Sequence, residues 1–264
     1  MGRAAPRFAA IALPLLLLAG AVPARAAEPA GLAYAALGDS YVAGNGSGNE
    51  DGTSCRRSAN AYPPQFARTS GRYALSDFAA CSGATIAAVE QSQLGAVAPA
   101  RLVTVLVGGN DARFRDILVD CLRPGSACRG DFPDEDQRID SLAGPLHRLY
   151  GEVVTAAPTA ELVVMTYPQI FRPGGTCEST WTLSREDVDW FRSEYTHMNA
   201  VIRQAAQGVP RTRVLDVEGA LAGHELCTPQ EWAFGGRWRD PYTSFHPNAL
   251  GHAAMAARLR ATAP

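Results

Sequence analysis

Five short runs of Val, Leu and Ala punctuate the chain at residues 32–37, 73–78, 102–107, 162–166 and 214–217. None alternates cleanly between polar and apolar, the pattern of parallel strands covered on both faces. Between the runs the apolar period changes to three and four. Leu142, Leu146, Leu149 and Val153 predict a helix over 140–157. Val188, Phe191, Tyr195, Met198 and Ile202 predict another over 184–207, with Ser184 and Asp187 as capping candidates. A helix is read over 61–69, and a closing one over 248–260 has Asn248 at its N-cap. Strand alternating with helix predicts a doubly wound parallel α/β sheet. The connections 44–60, 112–139, 167–183 and 219–245 are long and rich in Gly, Pro, Asp and Arg. Such excursions are usually functional or pinned by disulfides.

The first 26 residues read differently. Arg3 and Arg7 open them, residues 8–22 are almost wholly apolar, and Ala24-Arg25-Ala26 closes the stretch. A basic start, a short apolar core and a small-residue end predict an export signal, leaving a single domain over 27–264 outside the cell. A membrane anchor fits less well, because Pro14 and Pro23 interrupt a run shorter than the roughly 20 residues that span a bilayer. Export removes Arg3, Arg7 and Arg25 from 24 basic residues, leaving 21 against 26 acidic ones. A net charge of about −5 provides no footprint for nucleic acid or an anionic membrane.

Six cysteines remain: Cys55, Cys81, Cys121, Cys128, Cys177 and Cys227. An even count in an exported chain favours disulfides over metal, and no C-x-x-C pair is present. Six cysteines permit 15 connectivities. The simplest is the sequential one.

Candidate chemistry sits at the strand ends. Gly38-Asp39-Ser40 follows the first run, where open α/β sheets bind ligands, and Gly38 permits a tight turn that presents the hydroxyl. Serine needs a base within hydrogen-bond reach to act as a nucleophile. Asp39 and Ser40 are also ordinary helix caps, so these residues alone leave both readings open. Gly108-Gly109-Asn110-Asp111 follows the third run and provides small donors suited to a developing oxyanion, although it is also good turn chemistry. Gly83, after the second run, could add a backbone N–H. His246 precedes Pro247, which holds it extended at the entrance to the last helix. His147, His197, His224 and His252 lack such a setting and are read as structural. No G-x-S-x-G occurs, which argues against an α/β-hydrolase elbow. Trp181, Trp190, Phe191, Trp232, Phe234 and Trp238 could line an acyl groove, with core packing the default.

Taken in this order, the blocks at Ser40, Gly83, Asn110 and His246 resemble the SGNH (GDSL-type) hydrolase family, and in wording the secreted lipases and esterases of actinobacteria. The resemblance spans the chain from about Gly31 to the closing helix. It implies a flavodoxin-like three-layer α/β/α sandwich with a five-stranded parallel sheet. It also implies hydrolysis of a lipid or small-molecule acyl ester without metal or organic cofactor, and the chain is expected to act as a monomer. Ser40 would be the nucleophile and His246 its base; the Ser40 amide, the Gly83 amide and the Asn110 side chain would form the oxyanion hole. One position departs from the family. Its usual Asp three residues before the histidine is Thr243 here. The expectation is therefore a backbone carbonyl, of Thr243 or Ser244, orienting the imidazole, with Asp240 folding back as the alternative.

Overall fold

The computed structural model describes residues 1–2, 31–237 and 239–263. The expected export signal and Trp238 lie outside the described residues. Residues 31–263 form a parallel sheet of five strands in the order β2-β1-β3-β4-β5: β1 (Leu32–Gly38), β2 (Tyr73–Phe78), β3 (Leu102–Leu106), β4 (Glu161–Met165) and β5 (Thr212–Leu215). The order reverses between β1 and β3, and a doubly wound sheet opens its ligand crevice at that switch point.

Helices cover both faces. α1 (Ser40–Ala43) follows β1 directly, and α2 (Tyr62–Ser70) packs on one face beside α8 (Ala249–Thr262). The other face holds α3 (Ile86–Ser92), α6 (Ala143–Ala156) and α7 (Arg185–Ala205). α4 (Phe114–Cys121) and α5 (Glu135–Asp140) belong to the excursion after β3. β3 is buried along its whole length. Its single polar residue, Thr104, is satisfied by the hydroxyls of Tyr34 at 2.8 Å and Tyr62 at 3.0 Å. Central strands thus carry no exposed face, which explains their continuous apolar runs.

The expected caps are present. Ser184 and Asp187 form a reciprocal capping box on α7, and Asn248 accepts the amides of Leu250 and Gly251 at the start of α8. Two expectations are corrected. β5 occupies 212–215 rather than 214–217, because the polar Thr212 and Arg213 already pair with β4 in the ladder, and Arg213 also forms an ion pair with Glu161 of that strand. Asp216 has already left the ladder and accepts the Glu218 amide. The excursion 112–139 is not irregular throughout, since α4 buries Phe114, Ile117 and Leu118 within it.

Three disulfides, Cys55–Cys81, Cys121–Cys128 and Cys177–Cys227, tie the long connections down. They are the sequential pairs. Among the described residues no helix is long and apolar enough to cross a membrane.

Candidate active site

The turn that ends β1 is built around one glycine. Gly38 has φ +139°, and a Cβ there would stand 2.1 Å from the Leu106 carbonyl oxygen, so no other residue fits. The Gln93 side chain grips this residue from both sides, accepting its N–H at 2.8 Å and donating to its carbonyl at 3.0 Å. Asp39 then caps α1 by accepting the Tyr41 amide at 2.9 Å. Ser40 becomes the first residue of that helix, at the carboxyl end of β1.

His246 arrives from 206 residues later. Its Nε2 lies 2.7 Å from Ser40 Oγ, and its Nδ1 lies 2.7 Å from the Ser244 carbonyl oxygen. That carbonyl can only accept, so Nδ1 carries the proton and Nε2 is left to accept from the serine. The loop is fixed on both sides of the imidazole. The amides of Phe234 and Phe245 bond across to the His246 and Phe234 carbonyls at 2.9 Å each, and Tyr41 Oη donates to the Phe245 carbonyl. Asp240 makes no hydrogen bond to the ring. Thr243, the other candidate, instead donates its hydroxyl to the Asp240 carbonyl at 3.1 Å.

The loops after β2 and β3 are stitched to each other. Asn110 Nδ2 donates to the Ala84 carbonyl at 2.9 Å, which leaves its second N–H for the cleft. Asp111 accepts the Ile86 amide at 3.1 Å, at the start of α3. Gly83 immediately precedes these anchors, at φ +79°. Among the described residues the amides of Ser40 and Gly83 donate no intrachain hydrogen bond. Asn110 lines the cleft with Ser40 and His246, whereas Gly83 is not among the residues that line it.

Several members of the site were not legible in the sequence. Tyr167, just past β4, accepts the Gly109 amide at 2.9 Å and donates to Asp39, joining the ends of three strands. Asn199 clamps its backbone from α7. A polar side chain after a strand carries no local signal of such long-range bonds. The apolar wall of the cleft is also unexpected: it comes from Tyr41, Phe114, Leu118, Tyr195 and Phe245. Of the aromatics proposed from the sequence, Trp190 and Phe191 are core residues on α7, and Trp181 is 53 % exposed. Among the described residues none of the proposed set lines the cleft.

Burial lowers the His246 imidazole to about 4. The Ser244 carbonyl opposes this by favouring the protonated ring, while Arg115 and Arg56 reinforce it. The ring is consequently neutral, and able to accept a proton, throughout the physiological range. Burial raises Asp39 to about 7, against the opposing bonds from Tyr167 and the Tyr41 amide. For the free enzyme the acid limb of kcat/KM on a neutral soluble ester is expected near pH 4 rather than near the ordinary histidine value of about 6.5. Activity should therefore persist as pH falls through 6 and be lost only near 4. A pH-stat titration from pH 3.5 to 8 measures this, and a limb at 6.5 contradicts the lowering of the His246 ring by burial while leaving its role as base intact.

The sequence pattern of the GDSL-like Lipase/Acylhydrolase family matches residues 36–254. The chain belongs to this family. That membership places it among ester-hydrolysing enzymes. It is 36 % identical over 240 residues to Lipase 1 of Streptomyces coelicolor, an alignment covering 89 % of this chain and 88 % of the relative. The extracellular lipase of Streptomyces rimosus superposes with a TM-score of 0.80 at 33 % identity, covering 87 % of this chain and 99 % of the other. Phospholipase A1 of Streptomyces albidoflavus superposes with a TM-score of 0.80 at 32 % identity, covering 89 % and 100 %. The five-stranded order of this GDSL-type fold matches the flavodoxin-like arrangement, with Ser40, Gly83 and Asn110 in the segments that follow β1, β2 and β3 and His246 at the entrance to α8.

Proposed function

We propose that this chain is an exported serine hydrolase of carboxylic acyl esters, with residues 1–26 as its leader and 27–264 as one catalytic domain. The observation that carries the reading is the 2.7 Å contact between Ser40 Oγ and His246 Nε2, with the imidazole held from behind by the Ser244 carbonyl. The three disulfides and the extracellular S. rimosus relative support export.

His246 Nε2 takes the Ser40 proton as Oγ attacks the ester carbonyl carbon. The negative charge that develops on the carbonyl oxygen is met by the Ser40 amide, the Gly83 amide and the free N–H of Asn110. Collapse breaks the bond to the alcohol, which leaves with the proton from Nε2. Water then attacks the acyl-enzyme, with His246 as base again, and releases the acid and Ser40. A backbone carbonyl fixes the tautomer as a carboxylate would, but stabilises imidazolium less.

The apolar wall of Tyr41, Phe114, Leu118, Tyr195 and Phe245 favours an acyl chain over a sugar beside the serine. Initial rates on p-nitrophenyl esters from C4 to C16, on phosphatidylcholine and on acetylated xylan test this. The expected order places acyl esters of C4 and longer at least tenfold above sugar acetates in kcat/KM. A preference for acetylated sugar overturns the substrate class and leaves the serine mechanism intact.

A further inference from the structure

A second cluster of chemically competent side chains lies where α5 packs on α7, away from Ser40. Asp136 and Asp140 stand four residues apart on α5, and Glu194 and His197 three apart on α7, so each pair shares one face of its helix. His197 Nε2 is 2.8 Å from Asp140 Oδ1, and its Nδ1 is 3.4 Å from Asp136 Oδ1. Glu194 is only 4 % exposed, yet its buried Oε2 has no hydrogen-bond partner. One donor atom each from Asp136, Glu194 and His197 lies within 4.8 Å of the other two.

The cluster is short of positive charge. Among the described residues no arginine forms an ion pair with Asp136, Asp140 or Glu194, and Arg138 is taken by Glu135 at 3.3 Å. Arg129 reaches the same groove without pairing there.

We propose that His197 Nδ1, Asp136 and Glu194 bind one divalent transition-metal ion, with zinc as the reference, and that Asp140 orients the imidazole through its Nε2–H. A carboxylate on the distal nitrogen of a ligating histidine is the usual way to fix its tautomer. One nitrogen and two carboxylate oxygens suit zinc, whereas calcium prefers oxygen alone. Tetrahedral zinc with bonds of about 2.1 Å needs donors roughly 3.4 Å apart, and Asp136, whose side chain is 72 % exposed, is free to close that distance. The fourth position is left to water. The ion clips α5 to α7 and so steadies the excursion whose α4 carries Phe114 and Leu118 into the cleft. It takes no part in ester chemistry, and the proposal stands independently of the catalytic assignment.

The test uses the full mature chain without a polyhistidine tag, stripped with EDTA. Zinc titration by calorimetry and thermal unfolding are measured on wild type, Asp136→Asn, Asp140→Asn and His197→Ala. Wild type is expected to bind one zinc ion, and zinc at about 100 times Kd to raise Tm by roughly 5–10 °C. His197→Ala and Asp136→Asn should abolish or weaken binding at least tenfold, and Asp140→Asn by about tenfold or more. Asp136 is exposed, so its replacement leaves the fold intact and the loss readable. Absence of saturable zinc binding by wild type overturns the proposal. So does binding unchanged in Asp136→Asn and His197→Ala, or calcium binding with equal affinity.

Discussion

Ser40→Ala is expected to lower kcat on a p-nitrophenyl ester by about five to six orders of magnitude, the scale on which a serine hydrolase loses turnover when its nucleophile is removed. The reason is local. Ser40 Oγ is the atom presented to the imidazole, and Gly38 and Gln93 hold the turn so that no neighbouring hydroxyl can take its place. The variant should fold. What it loses is one hydrogen bond, leaving His246 Nε2 a buried acceptor without a partner, a cost of about 1–3 kcal/mol. Tm should fall by several degrees at most. A steady-state assay beside a thermal melt separates loss of chemistry from loss of fold.

The second large effect is on the oxyanion side. Asn110→Ala should reduce kcat by about 10²–10³ with KM little changed, because the second N–H of the carboxamide acts on charge that appears only in the transition state. Asn110 has a further duty in this chain, since its other N–H holds the Ala84 carbonyl and with it the loop bearing Gly83. Asp111→Ala provides the control. It removes the neighbouring tether to Ile86 while leaving the donor in place, and should reduce kcat by about tenfold, less than Asn110→Ala. Equal losses in the two variants would mean that Asn110 acts by holding the loop and not by donating to the oxyanion. Kinetics at saturating and limiting substrate distinguish these outcomes.

The parts of this molecule that could be read from the sequence are those with local physical signatures. Buried parallel strands must be apolar throughout, so β1 and β3 stand out as runs. Ser184, Asp187 and Asn248 show as caps because helix ends need side-chain acceptors. Ser40, Gly83, Asn110 and His246 are visible because each lies at a strand or helix end in a distinctive short pattern. The expectation of a carbonyl behind His246 came from the Thr at position 243, and Ser244 now occupies that place in the geometry.

What escaped notice depends on long-range contact. Gln93 reaches Gly38 across 55 residues, and Tyr167 reaches Asp39 across 128. Nothing adjacent in the chain marks either residue. α4 escaped because it is short and opens at Arg113 in the left-handed region, without a side-chain cap, inside a stretch otherwise rich in turn residues. The order of strands depends on which apolar faces meet, and composition does not determine it.

The most direct test of the account is the site of covalent labelling by a fluorophosphonate, which captures an activated serine whether or not the natural ester is known. The mature protein is treated, digested and sequenced by mass spectrometry. A single stoichiometric adduct is expected on the peptide bearing Ser40, abolished by His246→Ala. An adduct on another serine, or undiminished labelling without His246, would contradict it.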